Sequence, residues 1–215
     1  MIVVGTDLHL SPSRPALPNS HSAATVVEAA GNLGALDHDI KPVHPSFKLW
    51  GPAATVATPS GDNLWIHRAL AAAAPGSVLV VSTGNGEPAG YWGEILSRAA
   101  RERGLAGVVM DGYARDAERL ADVGFPVFSR GLCIRGTTKD RCGAGSFGRN
   151  VTVGGVNVRP GDLVVGDADG VVVVAAERVA EVLSAADERD RKEALIMERL
   201  VEGETTVQIF RLGED

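Results

Sequence analysis

Apolar residues in this chain of 215 residues follow two kinds of pattern, and each predicts a different element. Residues 77–82 (SVLVVS) are continuously apolar and β-branched, which is typical of a strand covered on both faces. Between residues 91 and 103 apolar positions recur at i, i+4 and i+8, which predicts an amphipathic helix that ends at Gly104. A second strand and helix follow at residues 108–110 (VVM) and 116–123.

The first half of the chain alternates strands with helices. A strand at residues 51–58 (GPAATVAT) precedes a helix at residues 64–74, and an earlier helix at residues 22–31 is separated from them by a loop. Such alternation favours an α/β fold, in which helices pack against a mixed or parallel sheet.

The second half changes character. Short β runs alternate with Gly-Gly, Pro-Gly and Asp-Ala-Asp-Gly turns, a pattern typical of hairpins and a meander, at residues 126–129, 151–153, 156–158, 162–165 and 171–174. Residues 177–200 then predict a long, highly charged helix, exposed or at a subunit interface. We expect residues 1–215 to form a single domain.

Charge and composition narrow the possible functions. The net charge is −6 and the basic residues are scattered, so we expect no nucleic-acid partner. No apolar run reaches the roughly 18 to 20 residues that span a bilayer, and the first residues lack a basic leader, so we expect a cytoplasmic protein without a membrane partner. The two cysteines, Cys133 and Cys142, form no CxxC pair and are interpreted as plain thiols.

Candidate chemistry lies where strands give way to helices. The run at 108–110 stops at Asp111-Gly112, and Arg115 and Asp116 stand side by side where a helix begins. Glu94 occupies the preceding strand-to-helix junction, with 20 residues between it and Arg115. Arg115 and Asp116 could be an ordinary helix start, but neighbouring junctions on one sheet edge would bring all three side chains together. Two carboxylates and an arginine suit Mg²⁺ or Mn²⁺ and an anionic, oxygen-rich substrate.

Other sites find little support. The chain has no GxSxG motif, and Gly143-x-Gly145-x-x-Gly148 precedes a β-like segment instead of the helix that a dinucleotide site needs. The glycine-rich loop at residues 84–90 lacks the P-loop lysine and is either a flexible connection or the wall of a small anion pocket. The histidines show no metal-ligand spacing: His9, His21, His38, His44 and His67.

Four segments carry a family resemblance. They are GPAATVAT with GDN at residues 61–63, PGSVLVVSTG, WGEILSRAARERGLAGVVMDGYARD and VRPGDLVVGDADGVVVV. In this order they resemble the class II pyruvate aldolase family of 4-hydroxy-4-methyl-2-oxoglutarate aldolases, which shares its fold with the RraA-like regulators of ribonuclease E. The resemblance implies an α-β-β-α sandwich of the RraA-like, swivelling phosphohistidine-domain-like type. It also implies a homotrimer or a hexamer made of two trimers, with active sites at subunit interfaces.

The resemblance also implies roles for the polar cluster. Asp116 would bind Mg²⁺ or Mn²⁺ directly, and Glu94 would hold the metal through water. The family commonly has Asp where this chain has Glu94, and the longer side chain would alter the water shell. Arg115 would bind the keto and carboxylate oxygens of a pyruvate group.

Further contacts are implied at the helix start and from a neighbouring subunit. The backbone at Gly93, Ile95 and Leu96 would hold the substrate carboxylate. A glutamate from the neighbour's C-terminal helix would reach the metal waters, and Glu193 is the best candidate.

Two functions are therefore expected. The first is a metal-dependent lyase that releases pyruvate from 4-hydroxy-2-oxo acids, such as 4-hydroxy-4-methyl-2-oxoglutarate or 4-carboxy-4-hydroxy-2-oxoadipate, and decarboxylates oxaloacetate as a side activity. The alternative is a non-catalytic RraA-like regulator that binds a ribonuclease. A methyltransferase has little support, because no cofactor-binding glycine motif lies in the required context. The sequence does not identify the residues that would meet the distal half of the substrate. Four arginines crowd one loop and are either a binding set or solvated side chains: Arg130, Arg135, Arg141 and Arg149.

Overall fold

A computed structural model of the chain describes residues 21–84 and 88–213. The opening segment and the middle of the glycine-rich loop at 84–90 lie outside the described residues. The helices are α1 (Ala23–Ala29), α2 (Leu64–Ala72), α3 (Glu94–Glu102), α4 (Ala117–Val123), α5 (Val179–Val201) and α6 (Thr206–Phe210), with a 3₁₀ turn at Ala176–Arg178.

The strands are short and come mostly from the predicted apolar runs. They are β1 (Lys41–Pro42), β2 (Leu49–Ala57), β3 (Val78–Ser82), β4 (Gly90–Trp92), β5 (Gly107–Met110), β6 (Tyr113–Ala114), β7 (Val127–Ser129), β8 (Ser146–Phe147), β9 (Val151–Val153), β10 (Val156–Val158), β11 (Leu163–Asp167) and β12 (Gly170–Val174).

Eight of the strands in the described residues form one mixed sheet in the order β1-β7-β5-β3-β2-β11-β12, with β8 also paired to β2. The pairs from β2 to β7 are parallel, whereas β1, β8, β11 and β12 join antiparallel. The parallel centre therefore comes from the βαβα half, as the sequence predicts. Two further pairs, β9 with β10 and β4 with β6, stand apart from this sheet.

The core explains why the central strands are continuously apolar. Val78, Val80 and Val109 are completely buried, and each buried valine stabilises the fold by about 1.5 to 3 kcal/mol relative to an exposed one. The β9–β10 hairpin and α2, α3 and α4 share this main core. A second cluster, built from α1, the start of α5 and alternate residues of β11 and β12, gives the sheet its other helical layer. The fold is thus the mixed α/β architecture that was expected.

Local signals fix the helix ends. Ser22 caps α1 by accepting a 3.0 Å hydrogen bond from the Thr25 amide. Gly104 and Gly124 follow α3 and α4 in the left-handed conformation (φ 71° and 70°), where a side chain would be strained. None of the helices in the described part of the chain combines the length and apolarity needed to cross a lipid bilayer.

The predicted helix at residues 91–103 is wrong at its start. Tyr91 and Trp92 belong to β4 and are almost fully buried, and the extended Gly93 (φ −153°) separates them from α3. Trp92 stacks on Phe125 at a centroid distance of 5.9 Å and donates to Ser97. Burial of these two aromatic rings therefore overrides a spacing that also fits a helix.

Candidate active site

The polar cluster is presented by the small parallel ribbon of β4 and β6, and not by the main sheet as expected. Gly90 lies opposite Tyr113 and Trp92 opposite Ala114, so both strands end side by side. The amide of Arg115 continues the pairing by donating to the Trp92 carbonyl at 2.8 Å. Glu94 and Asp116 therefore follow parallel strands that end at the same level, as the junction argument requires.

Asp116 and Glu94 are joined directly. Oδ2 of Asp116 accepts a 3.1 Å hydrogen bond from the backbone amide of Glu94, the first residue of α3. Nε of Arg115 lies 3.8 Å from the same oxygen. The side chains of Arg115 and Asp116 are both about two-fifths exposed, so a solute can reach them.

Two glycines make room for this arrangement. A Cβ atom at position 93 would lie 2.4 Å from Oδ2 of Asp116 and 3.2 Å from Cγ of Arg115. A Cβ atom at position 90 would lie 2.5 Å from the Cys133 carbonyl and 3.0 Å from Cδ of Arg115. Gly90 and Gly93 thus let the ribbon pass close beneath the arginine.

Asp116 has an unusual backbone. It precedes α4 with φ 63° and ψ 39°, the left-handed conformation that asparagine and aspartate tolerate better than most residues. Its side chain makes no capping bond to α4 and is turned to Glu94 instead. The carboxylate therefore lines the cleft between the two helices and does not cap α4, as the aspartate of an ordinary helix start would.

The Glu94 side chain forms an ion pair on its own helix. Its Oε1 accepts from Nε of Arg98 at 2.9 Å and lies 2.8 Å from Nη2. This contact holds the carboxylate at the mouth of a shallow cleft, which is lined by Glu94, Ile95, Asp116, Ala117, Glu118 and Arg119.

The start of α3 offers backbone amides that have no hydrogen-bond partner among the described residues. The first amides of a helix have no partner inside the helix, and that of Glu94 is occupied by Asp116. The amides of Ile95 and Leu96 remain, although the Leu96 side chain is buried and the Ile95 side chain is 78% exposed. Only backbone groups of these two residues can therefore serve the site in the predicted way.

A loop at residues 131–136 covers the other side of Arg115. Two backbone hydrogen bonds join the loop to Ala114. The Ala114 amide donates to the Gly131 carbonyl, and the Cys133 amide donates to the Ala114 carbonyl. Leu132, Cys133 and Ile134 line a second cleft beside Arg115 and Asp116. The contact between this loop and β6 was not predicted from the sequence, because it joins residues far apart in the chain.

Other predicted candidates lie elsewhere. Asp111, at the end of β5, is buried and accepts from the Thr83 amide and hydroxyl at 2.6 and 2.8 Å, so it joins two strands of the sheet. Arg130 pairs with Asp37 and Asp39, and the hydrogen bond to Asp37 raises the pKa of the guanidinium above its usual value. The guanidinium of Arg130 is therefore occupied by two aspartates instead of pointing to a substrate site.

Glu193 is not brought to the cluster within one chain. It lies on α5, which packs mainly against α1, and its carboxylate pairs with Arg189 on the same helix at 3.0 Å. Its expected role concerns a neighbouring subunit and stays a prediction.

The residues fit a hard cation in part. Asp116 and Glu94 offer carboxylate oxygens on one cleft, which suits Mg²⁺ or Mn²⁺ with water in the remaining positions. Within residues 21–84 and 88–213 no group of three or more His, Cys, Asp or Glu side chains forms a complete ligand set. A metal here would depend on one or two carboxylates and on water.

The sequence of this chain is similar to those of known proteins. The profile of the RraA-like family, described as Aldolase/RraA, matches residues 23–173. A protein of Halalkalibacterium halodurans with the provisional name 4-hydroxy-4-methyl-2-oxoglutarate aldolase is 37% identical over 164 residues, covering 76% of this chain and 77% of that protein.

Solved structures of other proteins have the same fold as this chain. An uncharacterized protein from Pseudomonas syringae pv. tomato superposes with a TM-score of 0.80 at 28% identity, covering 90% of this chain and 91% of that one. RraAS2 of Streptomyces coelicolor, described as an unusual member of the RNase ES inhibitor RraA family, gives 0.74 at 29% identity over 84% of this chain and 94% of that one. The matched segment contains both strands of the ribbon and the whole polar cluster, and the chain belongs to the RraA-like family.

Proposed function

We propose that this protein is a divalent-metal-dependent lyase that cleaves 4-hydroxy-2-oxo acids and releases pyruvate. The observation that carries the proposal is the position of the Asp116 carboxylate, which accepts from the Glu94 amide, lies beside Arg115 and lines two accessible clefts, one with Glu94 and Ile95 and the other with Arg115. Decarboxylation of oxaloacetate is the proposed side activity, because both reactions pass through the enolate of pyruvate.

The cation would be Mg²⁺ or Mn²⁺, held directly by Asp116 and through water by Glu94. When bound, it supplies positive charge that stabilises the enolate oxygen. A carboxylate from the neighbouring subunit, with Glu193 as the candidate, would complete the set.

Arg115 would hold the pyruvate end of the substrate. Its guanidinium donates to the keto oxygen and to one carboxylate oxygen, a pairing that is stronger than a neutral hydrogen bond. The amides of Ile95 and Leu96 donate to the other carboxylate oxygen, favoured by the positive end of the α3 dipole.

Bond breaking follows from these positions. Glu94 orients the water that takes the proton of the substrate 4-hydroxyl group, and the C4 oxygen becomes a carbonyl. The C3–C4 bond breaks, and its electron pair moves to C3 as the enolate of pyruvate. Protonation of C3 then gives pyruvate.

The lysines support a route without a Schiff base. Nζ of Lys41 donates to the Asp169 carbonyl, and Lys48 lines a separate cavity together with His21 and Asp167. Neither these amines nor those of the other two lysines, Lys139 and Lys192, line the clefts beside Arg115. Charge stabilisation by the cluster therefore has to replace an imine.

A pyruvate-release assay tests this function. Purified protein is incubated with a panel of 4-hydroxy-2-oxo acids and oxaloacetate in Mg²⁺ or Mn²⁺, and each reaction is repeated with a chelator. Release that stops on chelation and returns with added metal supports the proposal. Turnover of none of these acids with either metal would reject it.

The alternative function is a protein-binding regulator. It is favoured by the structural similarity to RraAS2 and by apolar side chains exposed around the cleft, with Ile95 78% and Ile134 94% exposed. A stoichiometric protein partner, recovered by a chain that turns over no 2-oxo acid, would support the regulator over the lyase.

Self-assembly fits the same exposed residues. Apolar side chains of the described residues also project from the C-terminal part of α5 and from α6, namely Leu195, Met197, Val201, Val207 and Phe210. We infer that the chain forms a homotrimer or hexamer in which these surfaces are covered.

A further inference from the structure

The turn before α2 is made of Gly61 and two buried polar residues, Asp62 and Asn63, and it is bonded to two distant segments. Asp62 is 3% exposed and Asn63 is 6% exposed, although turns of this composition usually face water. Neither residue lines the clefts beside Arg115.

One set of bonds ties the turn to the loop that covers Arg115. Oδ2 of Asp62 accepts from the Thr138 hydroxyl at 2.9 Å and from the Asp140 amide at 2.5 Å. The Thr138 amide donates to the Gly61 carbonyl at 2.8 Å, and the Asn63 amide donates to the Thr138 carbonyl at 3.2 Å. Residues 131–136, just before Thr138, form the loop wall of the cleft.

The other set of bonds ties the turn to β4. Nδ2 of Asn63 donates to the Tyr91 carbonyl at 3.0 Å, and the Gly61 amide donates to the Tyr91 hydroxyl at 2.8 Å. Two residues beyond Tyr91 lies Gly93, followed by Glu94 and the free amides of α3. The same turn thus contacts the element that leads to each wall of the site.

Stability alone does not account for the asparagine. Its Oδ1 is buried and has no hydrogen-bond partner among the described residues, which is unfavourable for folding. Nδ2 is its one bonded side-chain atom in that part of the chain, and that bond reaches β4.

Asp62 is well suited to hold a loop. Burial alone would raise its pKa, but hydrogen bonds from Asp140, Leu64 and Thr138 and the charge of Lys139 lower the pKa below its ordinary value. The carboxylate is therefore ionised at neutral pH, and its bonds are of the stronger, charge-assisted kind.

We propose that Asp62 and Asn63 are positioning residues that act on different walls of the site: through Thr138 and Asp140, Asp62 orders the loop at residues 131–136 over Arg115, and Asn63 fixes the end of β4 and with it the Glu94–Asp116 contact. The inference rests on the proposed function for its kinetic consequences only. Neither side chain touches the substrate.

The two residues then have different kinetic signatures. Asp62→Asn loosens the wall that encloses the substrate, so KM rises about tenfold, the equivalent of one lost charge-assisted hydrogen bond, while kcat changes less than about twofold. Asn63→Ala shifts the carboxylates themselves, so Mg²⁺ affinity and kcat both fall by about tenfold or more.

The matched control is Asp162→Asn. Asp162 is also 3% exposed and accepts backbone bonds from Arg159 and Ala176 at 2.8 and 3.0 Å, but it joins β11 to the 3₁₀ turn instead of the site. We expect Asp162→Asn to lower Tm and to leave KM, kcat and Mg²⁺ affinity unchanged for the folded protein.

The experiment combines kinetics, Mg²⁺ calorimetry and hydrogen exchange on the full chain and its variants. Faster exchange confined to residues 131–138 is expected in Asp62→Asn, and faster exchange confined to residues 91–97 in Asn63→Ala. Thr138→Val removes the hydroxyl from the other end of the Asp62 contact and tests the same link if Asp62→Asn folds poorly; Thr138→Ser should restore it.

Two results would overturn the proposal. One is exchange that rises evenly over the chain in both variants; the other is a fall in active fraction with unchanged KM and unchanged Mg²⁺ affinity. A wild-type chain that releases no pyruvate would reject the proposed function alone. Hydrogen exchange and calorimetry would still decide whether the turn positions the two walls.

Discussion

The absence of a side chain at Gly93 is what gives the Asp116 carboxylate its place. A Cβ atom at position 93 would come within 2.4 Å of Oδ2 of Asp116, closer than real contacts allow. The backbone of Gly93 is extended, at φ −153°, so alanine could adopt it without strain. Glycine is therefore required at position 93 because the Asp116 carboxylate fills the space of a Cβ atom, and not because the backbone conformation excludes other residues.

Gly93→Ala should disable the site while the protein stays folded. The added carbon meets the end of a side chain, so Asp116 rotates away at little cost in stability. We expect pyruvate release to fall by about 100-fold, as for other small displacements of reacting groups, and Tm to shift by only a few degrees. Gly213→Ala, where the added carbon meets nothing within 4 Å, is the control in both measurements. Full activity in Gly93→Ala would contradict the clearance argument.

Asp116→Asn should abolish metal-dependent activity. Asparagine tolerates the left-handed backbone at this position, so the change removes the charge and keeps the shape. Isothermal titration with Mn²⁺ should show binding that is weaker by at least about tenfold, and circular dichroism should show an unchanged fold. Wild-type activity in this variant would remove Asp116 from the site.

Arg115→Ala should slow the reaction by about 10- to 150-fold, since the lost charge-assisted contact amounts to about 1.5 to 3 kcal/mol in the transition state. Arg115→Lys keeps the charge but cannot donate two parallel hydrogen bonds, so we expect an intermediate rate. The comparison of kcat/KM for the three proteins checks the order. A lysine variant as fast as the wild type would show that charge alone is needed.

Acid should erase the stability difference between the wild type and Asp62→Asn. Burial opposes ionisation of Asp62, yet hydrogen bonds from Asp140, Leu64 and Thr138 outweigh it and lower the pKa, with the nearby Lys139 assisting. A carboxyl group whose pKa is lower in the folded state stabilises the fold at neutral pH. That stabilisation is lost as the pH falls below about 4 and through the folded pKa.

Urea unfolding between pH 3 and pH 8 measures this effect. We expect the wild type to be more stable by about 1 to 2 kcal/mol at pH 7, and the gap to close at the acid end. His67, whose pKa is lowered by burial and by Lys139, lies in the same electrostatic environment and is neutral at pH 7 in both proteins. A gap that stays constant with pH would contradict the ionised state of Asp62.

Ile134→Glu should break the proposed assembly. The side chain is 94% exposed in the single chain, and covering a charge at a subunit interface is costly. Sedimentation velocity should show trimers or hexamers for the wild type and smaller species for the variant. Glu102→Ala, an exposed change at the end of α3 and outside the apolar surfaces named above, serves as the control. Equal mass for wild type and Ile134→Glu would exclude Ile134 from an interface.

The sequence was informative where the signal is local. The valine-rich β3 and β5 are buried on both faces, and their continuous apolar runs predicted this. The two strand-to-helix junctions predicted that Glu94 and Asp116 would lie near each other, and the Glu94 amide donates to Asp116 where the ribbon ends. The strands of that ribbon were missed, because two or three residues cannot show a period and Tyr91 and Trp92 fit a helical spacing.

Contacts between distant segments were not predictable in the same way. Nothing near Asp62 in the sequence indicates that its partners lie 76 and 78 residues away at Thr138 and Asp140. Arg130 likewise looked free in a basic loop, whereas the fold pairs it with Asp37 and Asp39. Such partners depend on the tertiary fold.

The left-handed backbone at Asp116 limits which residues can replace aspartate at this position during evolution. Few residues accept φ 63° at low cost, and asparagine and glycine are the nearest to aspartate that do. A lineage that abandons catalysis yet keeps the fold would therefore pass most easily through one of these two neutral residues. Under the proposed function, asparagine or glycine at this one position would mark sequences of this fold that no longer bind the metal.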